Sequence, residues 1–414
     1  MNILIHPRKL QGRVQAIPSK SQAHRALICA ALAKGETEVV CPQLSKDIRA
    51  TAECLRAMGA GIEYKDGSIH VRPIVMDGES LAERDSVITL DCGESGSTLR
   101  FLLPTVCALG LPAAFLMRGR LPQRPLSPLW ELLEENGCSL RREGAAGEIL
   151  RVSGKLQPGN YEIAGNVSSQ FISGLLFACC SMQKPGRVVI KGKTESAGYI
   201  AMTLKALREF RAEPAYEALE QAFAFPGGAC LRSPGRIVVE GDWSNAAFWL
   251  TAEALGSRVE VTGLAGDSPQ GDRAAVECLK RISSGSTIID ASDIPDLVPA
   301  LAVAAALSPG TVQFVHAERL RIKESDRLKS VCSMLQALGG ACRETEDGLI
   351  VEGKKELEGG IVDGANDHRI VMSAAVAATA CRGPVTILGA QAAEKSYPDF
   401  WEDYTQLGGK TEVI

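Results

Sequence analysis

The chain has 414 residues, 45% of them hydrophobic and 23% charged, with 45 Lys and Arg against 49 Asp and Glu and a net charge of −4. That length suits two or three domains with cores of their own, while the balanced charge and 5% aromatic content carry no signature of a nucleic-acid partner. Thirteen cysteines without a CxxC pair read as reduced core thiols of a cytoplasmic protein, MNILIHPRKLQG has no signal-peptide layout, and the apolar runs Leu297 to Leu307 and Val371 to Ala380 are too short to cross a bilayer.

Asn2 to Val14 read as short strands, and Pro18 then leads into a helix with Ser19 at its N-cap and Ala26, Leu27, Ala30 and Ala31 at helical spacing. Lys20, Ser21, His24 and Arg25 lie at the open end of that helix, where backbone N–H groups add to side-chain donors and suit a phosphate. No cluster of His, Cys and carboxylate accompanies His24, so it reads as a local hydrogen-bonding residue rather than a metal ligand. A helix followed by a hairpin then recurs, at Asp47 to Val71, Leu126 to Val152 and Leu328 to Val351, with weaker versions at Met202 to Val239 and around Ala274 to Ile289. The spacing is too long and uneven for a solenoid, so the unit is expected to build larger domains in which sheets cover helices.

Between the first two units, LDCGESGSTLRFLL places Gly93 and Gly96 around a Ser/Thr cluster before an apolar helix. The small residues allow close backbone approach to a ligand, although the Gly-Lys-Ser/Thr ending of a Walker A loop is missing. Arg118, Arg120 and Arg124 follow in a proline-stiffened loop without nearby carboxylates, which favours an anion. Ser168, Ser169 and Gln170 form a neutral donor cluster at the next helix start, where an N-cap accounts for only one of the three. Ser196 and Tyr199 repeat the design, FPGGACLRSPG reads as an irregular connection, and EGDWSN opens another apolar helix. Asp296 stands at the threshold of the apolar helix VPALAVAAAL. RLRIKESDRL then sets Arg319, Arg321, Lys323 and Arg327 beside Glu324 and Asp326 at a helix start, where the backbone is already positive. An anionic ligand removes that oddity and leaves a carboxylate for proton transfer. Asp367, His368 and Arg369 repeat the logic, and Lys395 ends the series.

Taken together, PSKSQAHR, DCGESGSTLR, RPL, GNVSSQF, SAGY, EGD, IPD, IKESDR, NDHR and EKSYPD give a chain that closely resembles the 5-enolpyruvylshikimate-3-phosphate synthases, the shikimate-pathway enolpyruvyl transferases. The match covers nearly the whole chain in the family's order. Glu94 and Arg319 depart from the asparagines common at those places. The resemblance implies an α/β, two-domain enolpyruvyl transferase fold, each domain made from three repeated βαβαββ units as an inside-out α/β barrel. Residues 1–19 and 235–414 would form the first domain, residues 20–234 an inserted second one, and the active site would lie in the interdomain cleft. The implied reaction transfers the enolpyruvyl group of phosphoenolpyruvate to the 5-hydroxyl of shikimate 3-phosphate by addition and elimination, without cofactor or metal, in a cytoplasmic monomer.

By the same resemblance, Lys20, Ser21, Arg25, Ser168, Ser169, Gln170, Ser196, Asp296 and Lys323 would hold shikimate 3-phosphate. Lys20, Gly96, Arg124, Gln170, Arg327, Arg369 and Lys395 would hold phosphoenolpyruvate or its mimic glyphosate. Asp296 is the implied base for the hydroxyl, Glu324 the proton carrier at the methylene carbon, and Lys20 a participant in proton transfer. The nearest competitor is the sister family acting on UDP-N-acetylglucosamine, whose Lys-Asn pair is replaced here by Lys20-Ser21. Its loop cysteine has no counterpart in the placing of Cys230. A noncatalytic anion-binding protein of the same architecture would have no need of Asp296 and Glu324 beside Arg327, Arg369 and Lys395.

Overall fold

The computed structural model describes residues 1–75, 86–228 and 231–414; Cys230 lies outside the described residues. Two compact units divide the chain, Met1–Ser19 with Glu240–Ile414, and Lys20–Val239. The return to the first unit comes after Val239 rather than after residue 234, because the strand Arg236–Val238 pairs in parallel with Thr37–Val40 and stays with the inserted unit. Ser19 N–H donates to the Glu240 carbonyl at 2.8 Å, so the chain leaves the first unit and re-enters it at one place.

One four-stranded ladder recurs. In the inserted unit it is clearest in Ile88–Gly93, Ala113–Met117, Ile149–Gly154 and Cys138–Glu143, paired in that spatial order. The first pair is parallel and the other two antiparallel. Helix Gly96–Leu109 is the connection that the parallel pair needs, and Leu129–Glu135 leads from its second strand into the antiparallel hairpin. The same order recurs in Asn160–Ala164, Gly186–Lys191, Ala222–Phe225 and Ala215–Glu217, and in a third sheet whose first strand is the distant Arg236–Val238.

The other unit repeats the ladder in Thr287–Asp290, Thr311–Val315, Leu349–Glu352 and Ala341–Glu344. It does so again in Gly360–Asp363, Val385–Leu388, Ile3–His6 and Lys410–Val413, where the strand Ile3–His6 supplies the third member. Its remaining repeat is abbreviated to the parallel pair Gln11–Gln15 and Arg258–Thr262 with helices Trp243–Ala254 and Ala275–Ser283. No hairpin closes that copy among the described residues. The stretch around Ala274 to Ile289 is therefore a helix and then the opening strand of the next repeat, since Ile289 faces Phe314 in a parallel pair.

Each unit has helices that are buried along all or nearly all of their length. All nine residues of Val298–Ala306 and all eleven of His368–Ala378 are buried, as expected of helices apolar on every side. Strands such as Thr37–Val40 alternate buried with half-buried positions, so each sheet shows one face to the core. Each unit has its own hydrophobic core. Local chemistry fixes the joints. Ser45 caps Lys46–Ala57 by accepting from Ile48 N–H, and Asp66 and Gly67, at φ 48° and 75°, supply the positive φ values of a tight hairpin turn. Gly174 lets helix Ser169–Ser181 cross Gly96–Leu109 closely, because any side chain there would strike the Arg100 carbonyl.

Candidate active site

In the inserted unit, hydrogen bonds tie together residues from the first turns of several helices. Arg25, 1% exposed, donates from Nε to Thr203 Oγ1 at 2.8 Å and from its terminal nitrogens to the carbonyls of Ser21 (2.6 Å) and Tyr199 (2.8 Å). Its guanidinium lies 4.9 Å from the Phe101 ring centroid, and burial pushes it down to about 10. Arg25 thus fastens helix Lys20–Leu32 to Ala197–Glu209. Lys20 donates to Asp47 Oδ2 at 2.8 Å. Ser168 caps Ser169–Ser181 by accepting from Gln170 N–H, Ser169 is buried in its first turn, and Ser196 precedes Ala197–Glu209 in a left-handed conformation at φ 54°.

Gln170 has a structural role that its sequence left open. It donates to Ser97 Oγ at 2.9 Å and accepts from Arg100 at 3.1 Å, bridging two helix starts. Gly96 sits against two cations: a Cβ added there would lie 2.7 Å from a guanidinium nitrogen of Arg100 and 2.7 Å from one of Arg124. Of the three loop arginines without a local carboxylate, Arg118 meets Asp91 at 2.6 Å, while Arg124 is buried. Glu94 occupies the space that Gly119 leaves open. His24 is buried with Nδ1 2.7 Å from Thr51 Oγ1, and burial, then Lys20 and Arg25, holds it well below the ordinary histidine range. It is a neutral packing residue.

The other unit gathers charge around Arg327, which is 1% exposed. Its guanidinium donates to Asp367 Oδ2 at 2.8 Å, Asp296 Oδ1 at 2.8 Å and Glu324 Oε2 at 2.6 Å. Burial opposes the charge, but Asp367, Glu324 and Asp296 outweigh it and raise the group above its usual range. Asp367 also accepts from Arg369 N–H as the cap of helix His368–Ala378, and from the Ser325 hydroxyl at 3.0 Å. Arg369 donates to the Asp296 carbonyl at 2.9 Å and to Ser244 Oγ at 2.8 Å, and lies 3.2 Å from Asp296 Oδ2. Lys323 stands 3.9 Å from Asp296. Burial alone would raise the Asp296 carboxyl, yet Arg369, Lys323 and Arg327 hold it well below the usual carboxylate range. Lys395 donates to the Asn366 carbonyl at 2.7 Å, beside Asp367. Arg319 is turned to the Ser292 carbonyl at 2.7 Å.

Asp296, Lys323, Glu324, Arg327 and Arg369 are therefore one cluster, with Lys395 at its margin. Lys20, Ser21, Arg25, Gly96, Arg124, Ser168, Ser169, Gln170 and Ser196 belong to the helix starts of the inserted unit. Sequence reasoning missed Asp47 as the partner of Lys20, Asp367 as the anchor of Arg327, and Asp272, a buried acid behind Arg369. Pairings across such separations have no local signal. Among the described residues no group of three or more His, Cys, Asp or Glu is arranged to hold a metal, and no helix is long and apolar enough to cross a membrane.

A family model described as EPSP synthase (3-phosphoshikimate 1-carboxyvinyltransferase) matches residues 5–404. A 3-phosphoshikimate 1-carboxyvinyltransferase of Clostridium perfringens is 40% identical over 98% of both chains. That of Clostridium beijerinckii is 40% identical over 99% of this chain and 98% of its own. Among solved structures, EPSP synthase from Acinetobacter baumannii aligns over 100% of both chains with a TM-score of 0.79 and 25% identity. The enolpyruvyl transferase NikO from Streptomyces tendae aligns over 99% of this chain and 98% of its own, with a TM-score of 0.75 at 17% identity, a likeness of fold.

Proposed function

The chain belongs to the EPSP synthase family, and from that premise we infer how its residues carry the family's reaction. It is a 3-phosphoshikimate 1-carboxyvinyltransferase, moving the enolpyruvyl group of phosphoenolpyruvate to the 5-hydroxyl of shikimate 3-phosphate with release of phosphate. In the proposed assignment, Lys20, Ser21, Arg25, Ser168, Ser169, Gln170, Ser196, Asp296 and Lys323 serve shikimate 3-phosphate. Lys20, Gly96, Arg124, Gln170, Arg327, Arg369 and Lys395 serve phosphoenolpyruvate.

The observation that carries the reading is the Arg327–Arg369 cluster. Two guanidiniums and Lys323 are neutralised by Asp296, Glu324 and Asp367. An arriving carboxylate or phosphate competes for the same N–H donors. As it takes them, Asp296 loses the cations that keep it weakly basic and becomes able to take a proton, while Glu324 is released from its ion pair with Arg327. Asp296 then removes the proton of the attacking hydroxyl as its oxygen bonds to C2 of phosphoenolpyruvate, while C3 is protonated through Glu324. Elimination reverses the C3 protonation, expels phosphate and restores the double bond. The cations stabilise the charge that shifts between these states.

The test mixes protein with shikimate 3-phosphate and phosphoenolpyruvate and follows inorganic phosphate. Phosphate release is expected, with unphosphorylated shikimate reacting poorly. Turnover of UDP-N-acetylglucosamine in place of shikimate 3-phosphate would overturn the substrate assignment. A monomer in the reducing cytoplasm completes the proposal; the twelve cysteines of the described residues are all buried and free. A dimer mass in light scattering would contradict it.

A further inference from the structure

Packing against the Phe101 ring, T-shaped with 6.3 Å between centroids, accounts for one side of His24. The other side begins a row of polar groups that no step of the reaction uses. His24 Nδ1 lies 2.7 Å from Thr51 Oγ1, Thr51 Oγ1 lies 2.7 Å from Thr98 Oγ1, and Thr98 Oγ1 donates to Ser95 Oγ at 2.7 Å. All four side chains are buried, none more than 1% exposed. Packing alone does not call for such a row, since apolar groups of the same shape can replace paired hydroxyls at little cost.

Counting protons fixes the direction of the row. Each hydroxyl has one proton to give. Thr98 gives its own to Ser95, so it must accept from Thr51. Thr51 has then spent its proton and must accept from His24. The ring is therefore the neutral Nδ1–H tautomer, and its Nε2, which has no hydrogen-bond partner among the described residues, keeps a bare lone pair.

Three helices are joined in this way. His24 stands one turn beyond Lys20 in Lys20–Leu32, and Thr51 one turn beyond Asp47 in Lys46–Ala57. Lys20–Asp47 and His24–Thr51 are thus successive rungs between the same two helices. Thr98 lies in the first turn of Gly96–Leu109, and Ser95 caps that helix by accepting also from Thr98 N–H at 3.2 Å. Gly96 follows directly, with the Arg124 guanidinium against it.

We propose that His24 is a positioning residue for phosphoenolpyruvate: through Thr51 and Thr98 it sets how far the loop bearing Gly96 stands from the helix start bearing Lys20. This rests on the assignment of Lys20, Gly96 and Arg124 to that substrate. The Lys20–Asp47 rung does not pass through Thr51, so cutting the row frees the Gly96 side alone.

Thr51→Val keeps the shape and cuts the row in its middle, while Thr51→Ser keeps the hydroxyl. The KM for phosphoenolpyruvate should rise about three- to tenfold in Thr51→Val, with kcat and the KM for shikimate 3-phosphate within about twofold. Thr51→Ser should stay within about twofold of the wild type throughout. An unchanged phosphoenolpyruvate KM in folded Thr51→Val, or an equal rise in both variants, would overturn the proposal. Should Thr51→Val not fold, Thr98→Val is read in the same way. A second readout uses the wild type: imidazole nitrogen NMR at neutral pH should show His24, identified among the five histidines by its loss in His24→Asn, protonated at Nδ1 and bare at Nε2. The opposite tautomer reverses the proton count and refutes the row as drawn. Arg124→Gln separates this from the substrate assignment. If that variant keeps the wild-type KM for phosphoenolpyruvate, the loop is no part of the site and the proposal falls, even where the tautomer is as stated.

Discussion

Asp296 illustrates how a candidate base can be poor in one state and useful in another. Between Arg369, Lys323 and Arg327 it is an anion at any working pH, with little appetite for a proton. Asp296→Asn removes the charge at nearly constant size and should lower turnover by about 10²-fold or more, with a smaller change in substrate binding. Glu324→Gln should cost a similar factor and also suppress solvent-deuterium exchange at the enolpyruvyl methylene. Normal turnover and exchange in a folded Glu324→Gln protein would remove Glu324 from the mechanism and leave the cationic cluster as a binding site. These residues were legible in the sequence because the IPD, IKESDR and NDHR stretches place charge at helix starts. Their partnerships were not. Asp367 lies forty residues from Arg327 in the chain, and Asp272 belongs to a turn that sequence reasoning passed over.

Helix starts do most of the positioning, and Asp367 shows why one cap can matter to two elements. It accepts from Arg369 N–H at the head of His368–Ala378 and holds Arg327, the first residue of Arg327–Ala337. Asp367→Ala removes a cap and takes one carboxylate from a buried guanidinium. A loss of about 3–5 kcal/mol is expected, read as a lower urea midpoint at pH 7; a shift of a few tenths would show that Glu324 and Asp296 suffice. Burial opposes the ionised form of Asp367, but Arg327 and then His368 lower its carboxyl below the ordinary value. Its stabilising contribution is therefore complete above about pH 4 and fades as pH falls through the lower folded value. At this scale the helix-and-hairpin repeats could be read from helical periodicity and Asp-Gly turns. The strands that complete two of the repeats could not, since Ile3–His6 and Arg236–Val238 join sheets far from them in sequence.

The whole chain consists of two units with separate cores, one inserted in the other. The fragment Lys20–Val239 contains every strand of its three sheets and should fold alone, with a cooperative urea transition and a stability of about 5–15 kcal/mol. It should release no phosphate from the two substrates, because the Asp296 cluster is missing from it. A molten, non-cooperative fragment would contradict that independence. The other unit faces a different problem on the ribosome. Its strand Ile3–His6 pairs with Val385–Leu388 on one side and Lys410–Val413 on the other, with the whole inserted unit synthesised in between. At about 5–20 residues per second, translation keeps that apolar strand waiting roughly 20–80 s for those partners. During that interval the inserted unit can complete itself, and its pairing of Arg236–Val238 with Thr37–Val40 brings Ser19 beside Glu240, so the segment made in mid-synthesis becomes a clamp that is set before the sheet of Ile3–His6 can close.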